Sequence, residues 1–278
     1  VSSRFLDADR DRREAELRFD FPPHALAGRV VLVAGGFGGL GSAITALLLA
    51  HGARPVVGYR SRKGHALLMQ QKLQDLFGGP VTLVEGDLAE KAVRERYLQT
   101  ALAIRDELYG AVLATGDPAR VAPRDLDADA LERSLSANYT APLLLARECA
   151  EAMAHRGTRG AIVLLSSMQG VHPFEGSLAY AGAKAGLVHG ARILAKEYGG
   201  IRDVRINVVA PGVTATGMAR ASIDAGKYDA YVERQVIARF GRPEDVARVV
   251  RLLLEPDSYL TGQVITVDGG LTLRRDLA

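Results

Sequence analysis

The sequence predicts an α/β fold: a doubly wound parallel sheet of seven strands, helices on both faces, in a single domain. Three observations lead there. From Gly28 onward, short β-branched runs alternate with helix-length segments. The runs are apolar throughout rather than strictly alternating, as in strands covered on both faces. After residue 27 no internal repeat, low-complexity tract or Pro/Gly/Ser linker breaks the series.

Taken in order, residues 1–27 form a charged extension without the apolar stretch of a signal peptide. It reads as a short amphipathic helix ending at Pro22 and Pro23, or as partly disordered, ahead of a domain over 28–278. "RVVLVAGG" (29–36) is a buried strand and "SAITALLLAHGA" (42–53) the helix after it. "PVVGY" (55–59) is the second strand, its proline tolerable at a strand start. "VTLVEGD" (81–87), "GAVLATG" (110–116), "GAIVLLSS" (160–167), "RINVVAPG" (205–212) and "QVITVDGG" (263–270) complete the seven.

Composition narrows the function. The 278 residues are 48% hydrophobic, ample for an independent core. The net charge of +3 is small and scattered, so nucleic acid is not indicated. Cys149, the only cysteine, sits at helical spacing and reads as core. Alone it builds neither a disulfide framework nor a zinc site, so no metal is expected and the cytoplasm fits best. No apolar run approaches the roughly 18 residues that span a bilayer, so no membrane partner is expected.

Between the first strand and first helix lies "AGGFGGLG" (34–41). Glycines there permit a sharp turn and close approach, and the following helix aims free N–H groups and a positive dipole end at the turn. That suits a pyrophosphate. Two spacings fit: Gly36, Gly38 and Gly41 as G-x-G-x-x-G, or Gly35, Gly39 and Gly41 as G-x-x-x-G-x-G. With its strand and helix context, this is a Rossmann-type dinucleotide turn. An NAD site would place an acid after the second strand, yet none occurs from Ser42 to Gln74. "GYRSRK" (58–63) instead offers Arg60 and Arg62 to pair with a 2′-phosphate and Ser61 to hydrogen-bond it, so NADP(H) is the expected cofactor.

The chemistry centres on "AYAGAKAG" (179–186). Tyr180 and Lys184 lie one helical turn apart on one face. Lowering a phenol pKa from about 10 by three units takes roughly 4 kcal/mol. A cation at ~4 Å in an effective dielectric near 20 supplies about that much. Thirteen residues upstream, Ser167 closes an apolar strand at its carboxyl end, where open α/β sheets bind ligands. Asn138, in "LSANYTAP", is a poor helix former at a helical position. A buried amide there needs partners and could hold a water for proton relay.

Together these features resemble the short-chain dehydrogenase/reductase family, single-domain branch, from about Gly28 to Leu273. The resemblance adds "GDL" (86–88), "NVVAPGVTATGM" (207–218), "FGRPEDVA" (240–247) and "YLTGQVITVDGG" (259–270) to the motifs above. It implies that Tyr180 protonates an alkoxide as hydride arrives from nicotinamide. Lys184 would lower the tyrosine pKa and hold the nicotinamide ribose, Ser167 would position the carbonyl, and Asn138 would hold the relay water. Cofactor contacts would come from Gly35, Phe37, Gly38, Gly39, Leu40 and Gly41, from Tyr59, Arg60 and Ser61, and from Asp87 and Leu88 at the adenine. Ala114, Gly116, Tyr180, Lys184, Pro211, Gly212, Val213 and Thr216 complete that set.

Two departures stand out. Ala34 replaces the family's usual threonine, and "LATG" (113–116) replaces its Asn-Asn-Ala-Gly stretch, removing asparagines that brace the sheet. The four-residue Tyr–Lys spacing differs from the wider interval of enoyl reductases. The C-terminal motifs most resemble beta-ketoacyl-carrier-protein reductases. That implies an NADP(H)-dependent ketone reductase with a small carbonyl substrate, free or carried on an acidic carrier protein. Arg156, Arg159 and Arg202 are candidates for carrier docking, with plain surface arginines the alternative, and 215–237 is the candidate lid. An alcohol dehydrogenase working oxidatively is the main rival, and a non-catalytic NADP sensor a lesser one. The family also implies a homo-oligomer, a tetramer or dimer, packed through helices around Asn138 and Tyr180.

Overall fold

The computed structural model describes residues 8–19, 22–119, 121 and 123–274. Seven strands form one sheet: β1 (Val30–Ala34), β2 (Arg54–Tyr59), β3 (Thr82–Glu85), β4 (Gly110–Leu113), β5 (Ala161–Leu165), β6 (Arg205–Pro211) and β7 (Val264–Val267). Their order is β3-β2-β1-β4-β5-β6-β7, and every pairing is parallel. The chain winds outward from β1 to β3, then crosses back and winds the other way from β4. A crevice opens at that reversal, at the carboxyl ends of β1 and β4.

The helices are α1 (Ala8–Ala15), α2 (Gly39–Ala50), α3 (Lys63–Phe77), α4 (Lys91–Arg105), α5 (Ala128–Leu135), α6 (Ala141–His155), α7 (Leu178–Tyr198), α8 (Gly217–Asp224), α9 (Asp229–Glu233), α10 (Pro243–Leu253) and α11 (Leu271–Arg274). Strand β1 shows why its sequence does not alternate. Val30, Leu32 and Ala34 enter a core with α4, α6 and α7, while Val31 and Val33 enter another with α2, α3 and α10. All five are buried.

Except for β2, which ends with its run at Tyr59, the strands end one to three residues before the apolar runs do, because the final residues turn away to build the crevice. Strand β1 stops at Ala34, since Gly35 takes φ +73°. Helix α2 starts at Gly39, three residues earlier than its sequence pattern, so the last glycines of the turn form its first turn. Pro55 lies second in β2, where β3 has not begun to pair; that ladder starts at Val56↔Thr82. The lost asparagines of "LATG" do not unpair β4, which keeps full registers with β1 and β5. Fully buried Leu113 packs there instead.

In the extension, α1 ends at Ala15, well before Pro22, and residues 1–7, 20 and 21 lie outside the described residues. Its last residues join the domain: Leu26 is buried in the α2 core, and Arg29 Nε donates to the Ala25 carbonyl at 3.0 Å. Among the described residues no helix is long and apolar enough to cross a membrane.

Candidate active site

Strand β5 delivers two serines to the crevice. Ser166 Oγ donates to the Lys184 carbonyl at 3.0 Å, fixing the strand end against α7. Ser167 is extended and caps a 3₁₀ turn, Met168–Gly170, accepting the Gln169 N–H at 3.2 Å. It lines the same cavity as Tyr180, whose pKa, raised by burial, it pulls down. Gly170 lets this turn lie on α7, because a Cβ there would stand 2.9 Å from the Lys184 carbonyl oxygen.

Lys184 is buried, and its Nζ donates to the carbonyls of Leu165 at 2.9 Å and Thr115 at 3.4 Å. Burial pushes its pKa down to about 8. Burial also raises the Tyr180 hydroxyl above its ordinary value, and Ser167 offsets only part of that. This corrects the sequence expectation of a tyrosine brought to neutral pH by its lysine. The ammonium lies 6.0 Å from the tyrosine ring centroid and is committed to two carbonyls. The protein's own groups therefore keep Tyr180 protonated at neutral pH.

Asn138 lies in a π-turn, Ser136–Thr140, between α5 and α6, and is fully buried. Such turns are enriched at functional sites. Its Oδ1 accepts the Asp117 N–H at 3.0 Å, and its Nδ2 donates to the Asp117 carbonyl at 2.9 Å and Ser134 Oγ at 3.3 Å. The amide thus clamps the turn after β4. A Cβ on Gly116 would stand 2.8 Å from Asn138 Oδ1 and 3.3 Å from Lys184 Nζ, so Asn138, Gly116 and Lys184 converge.

The glycine turn separates its two candidate spacings. A Cβ on Gly41 would meet the Gly35 carbonyl at 2.1 Å, and one on Gly39 would meet Gly217 N at 2.5 Å. On Gly38 the nearest protein atom would be 3.3 Å away. Close packing therefore demands Gly35, Gly39 and Gly41, and also Gly36, where a Cβ would meet the Val57 side chain at 2.7 Å; of the first spacing only Gly38 is not demanded by packing. The Gly39 contact also brings together the N-termini of α2 and α8. Helix α2 has neither an acidic residue in its first turn nor a side-chain cap, which leaves its N–H groups for an anion.

Two cavities meet at this turn. One of about 920 Å³ is lined by Gly38, Gly39, Leu40, Gly41, Ala114, Gly116, Ser167, Tyr180, Lys184, Pro211, Gly212, Val213 and Thr216. The other, about 290 Å³, is lined by Gly35, Phe37, Tyr59, Arg60, Ser61, Asp87 and Leu88, and shares Gly38, Arg62, Ala114, Thr115 and Gly116 with the first. Every expected site residue except Asn138 lines one of them. Beside both, Thr115 Oγ1 is buried without a hydrogen-bond partner among the described residues. A two-lobed cleft with a free helix N-terminus at its waist fits a dinucleotide. At the smaller lobe Arg60 pairs with Asp87 at 3.7 Å, and Tyr59 donates to Glu85 at 3.0 Å.

Several contributors escaped the sequence reading. Gln169 lines the larger cavity, as do Met218, Lys227 and Tyr228 from the 215–237 segment, which forms α8 and α9 rather than a plain loop. Tyr97 on α4 lines the smaller lobe through space left by Gly58, where a Cβ would overlap its hydroxyl. Arg94 holds the Leu88 and Ala89 carbonyls at 2.7 and 3.1 Å. A charge inside an amphipathic helix gave no sign of that reach.

Of the two readings of Arg156, Arg159 and Arg202, the geometry fits plain surface arginines. They precede β5 and β6, at the amino ends of the strands, whereas the cavities lie at the carboxyl ends. Arg156 pairs with Asp106 at 3.5 Å, Arg159 with Asp203 and Asp257, and Arg202 lies over the Tyr198 ring. None lines either cavity.

The fold and site define a nucleotide-dependent oxidoreductase of the doubly wound class, and comparison with known proteins agrees. Residues 35–272 match a family model described as "Enoyl-(Acyl carrier protein) reductase". The chain is 32% identical over 252 residues to a 3-oxoacyl-(acyl-carrier-protein) reductase of Thermotoga maritima, covering 89% of this chain and 99% of that one. It is 30% identical over 253 residues to a glucose 1-dehydrogenase of Gluconobacter oxydans, covering 90% and 94%. Among solved structures, a short-chain type dehydrogenase/reductase from Mycobacterium ulcerans superposes with TM-score 0.83 at 28% identity, covering 89% of this chain and 91% of that one. Levodione reductase gives 0.82 at 26%, covering 89% and 99%. The chain belongs to the short-chain dehydrogenase/reductase family, whose members use NAD(P)(H).

Proposed function

We propose that residues 28–278 form an NADP(H)-dependent reductase converting a ketone to a secondary alcohol, with residues 1–27 as an extension. The observation that carries this reading is the convergence of Ser167, Tyr180 and buried Lys184 on one cavity that reaches the glycine turn. When bound, the nicotinamide cofactor supplies the hydride. Ser167 orients the carbonyl oxygen, and Tyr180 gives its proton to that oxygen as it becomes an alkoxide. A tyrosine held protonated suits this donor role. Lys184 binds the nicotinamide ribose and, through Leu165 and Thr115, keeps α7 registered against β4 and β5. Asn138 holds the turn on which these groups meet and anchors the relay water.

Arg60, Ser61 and Arg62 around the smaller lobe support NADP(H), and the four-residue Tyr–Lys spacing supports a ketone over an enoyl substrate. Likeness to a 3-oxoacyl-(acyl-carrier-protein) reductase favours a 3-oxoacyl compound, and likeness to a glucose 1-dehydrogenase favours oxidation of an alcohol as the second reading. We also assign a homo-oligomer, dimer or tetramer, packed through α5 and α7, which expose Leu131, Leu135, Leu178 and Ile193. Light scattering that finds a monomer refutes it. The function is tested by NADPH oxidation across ketones, quinones and 3-oxoacyl thioesters, with Tyr180→Phe alongside. The variant is expected to lose at least about a hundredfold; wild-type turnover by it overturns the assignment.

A further inference from the structure

Gln169 stands two residues beyond Ser167 on the 3₁₀ turn that opens into the larger cavity. Its backbone N–H is taken by Ser167 Oγ, and its side-chain oxygen Oε1 accepts a hydrogen bond from Ser177 Oγ. This contact holds one end of the amide at Ser177 and leaves the other end toward the cavity. With the oxygen turned to Ser177, the Nε2 group is left as a donor without a protein partner among the described residues. Gln169 is half-buried, yet Nε2 is not among the solvent-sealed orphan atoms, so it keeps accessible surface. The cavity is where this residue meets open space. Ser177 lies three residues before Tyr180, so the groups that hold the carbonyl also fix the amide.

We propose that Gln169 determines substrate preference, its Nε2 donating to a second acceptor oxygen close to the reacting carbonyl, and that the preferred substrates are 3-oxo esters and thioesters. This rests on the ketone-reductase reading above. A donor that is wetted in the open cavity loses its water when a ligand closes over it, so a ligand without an acceptor there leaves it unpaired and is disfavoured. Ethyl 3-oxobutanoate carries the second carbonyl, and 2-heptanone is a ketone of the same chain length with neither ester oxygen. Neighbouring Glu175 and Lys227 also line this cavity, but they are charged and would favour ionic ligands rather than a neutral ester.

The test measures kcat/KM for both compounds with NADPH in the unmodified protein, Gln169→Glu and Gln169→Leu. Gln169→Glu keeps the side-chain shape and the Ser177 partner but replaces the donor with an acceptor. Gln169→Leu removes both ends. In each variant the ester-to-ketone ratio of kcat/KM is expected to fall about tenfold or more. Ser177→Ala, which frees the amide to turn, is expected to lower that ratio by less. An unchanged ratio in Gln169→Glu and Gln169→Leu overturns the inference while leaving the reductase reading intact. Turnover of neither compound by the unmodified protein overturns the substrate preference, while the wider ketone screen with Tyr180→Phe decides the reductase reading.

Discussion

Lys184 Nζ donates to the Leu165 carbonyl at 2.9 Å, so the lysine of α7 is moored to the last residue of β5. A cation placed there is buried, and burial brings its pKa from 10.5 to about 8. The folded protein therefore holds fewer protons than the unfolded chain between about pH 8 and 10.5. Stability rises with pH wherever the unfolded state binds more protons. Charged Lys184 is thus a cost to folding below pH 8, relieved as pH climbs through that window. In urea unfolding, the wild type should gain on the order of 2 kcal/mol relative to Lys184→Met between pH 7.5 and 9.5. Subtracting the variant removes the titration of every other group. A difference that stays constant with pH would falsify the burial account.

The cofactor preference turns on Arg60. Its side chain is mostly exposed and reaches Asp87 at 3.7 Å, a contact that a 2′-phosphate would outcompete by charge and geometry. In Arg60→Asp the pair becomes two carboxylates, which repel a phosphate. We expect kcat/KM for NADPH to fall about ten- to a hundredfold and the value for NADH to hold or rise. Steady-state rates with both cofactors decide it, and an unmodified protein that prefers NADH sinks the assignment.

The seven strands were legible because residues such as Val30 to Ala34 are apolar on both faces, and that pattern has few alternatives. Ser167, Tyr180 and Lys184 were legible because one strand end and one helical turn bring them together locally. What the sequence could not convey depends on partners far along the chain. The Asn138 amide is held by Asp117 and Ser134, so its clamp on the turn after β4 needed the tertiary structure. Tyr180 was misjudged because the strength of a nearby cation depends on where its hydrogen bonds go. For Arg156, Arg159 and Arg202 the sequence leaves docking and plain surface charge open, because charge does not tell which end of a strand it flanks.

Arg94 ties the smaller lobe to the core. It is buried, its Nε meets both Glu148 oxygens at 3.0 and 3.1 Å, and its Nη1 holds the carbonyls just after Asp87. A lysine carries the charge without the planar fork. Arg94→Lys should raise KM for NADPH about five- to tenfold while kcat stays within about twofold. The reverse split, a lower kcat at unchanged KM, would mean that the turn does not position the cofactor.

The glycine turn offers a paired test in which packing and ligand approach are separable. At Gly41 a methyl group would sit 2.1 Å from the Gly35 carbonyl, a backbone atom that cannot swing aside. At Gly38 the nearest atom is 3.3 Å away, close enough to need only a small adjustment. Overpacking of the first kind costs about 1–3 kcal/mol, or roughly 5 °C in a chain of this size. Gly41→Ala should therefore melt about 5 °C or more below the wild type without any cofactor present. Gly38→Ala should melt within about 1 °C of it. Its defect should emerge only on titration with NADPH, because Gly38 lines both cavities beside the α2 N-terminus proposed to take the pyrophosphate. Equal melting temperatures for the two variants would show that the turn relaxes around either methyl group. Full NADPH affinity in Gly38→Ala would place the pyrophosphate elsewhere.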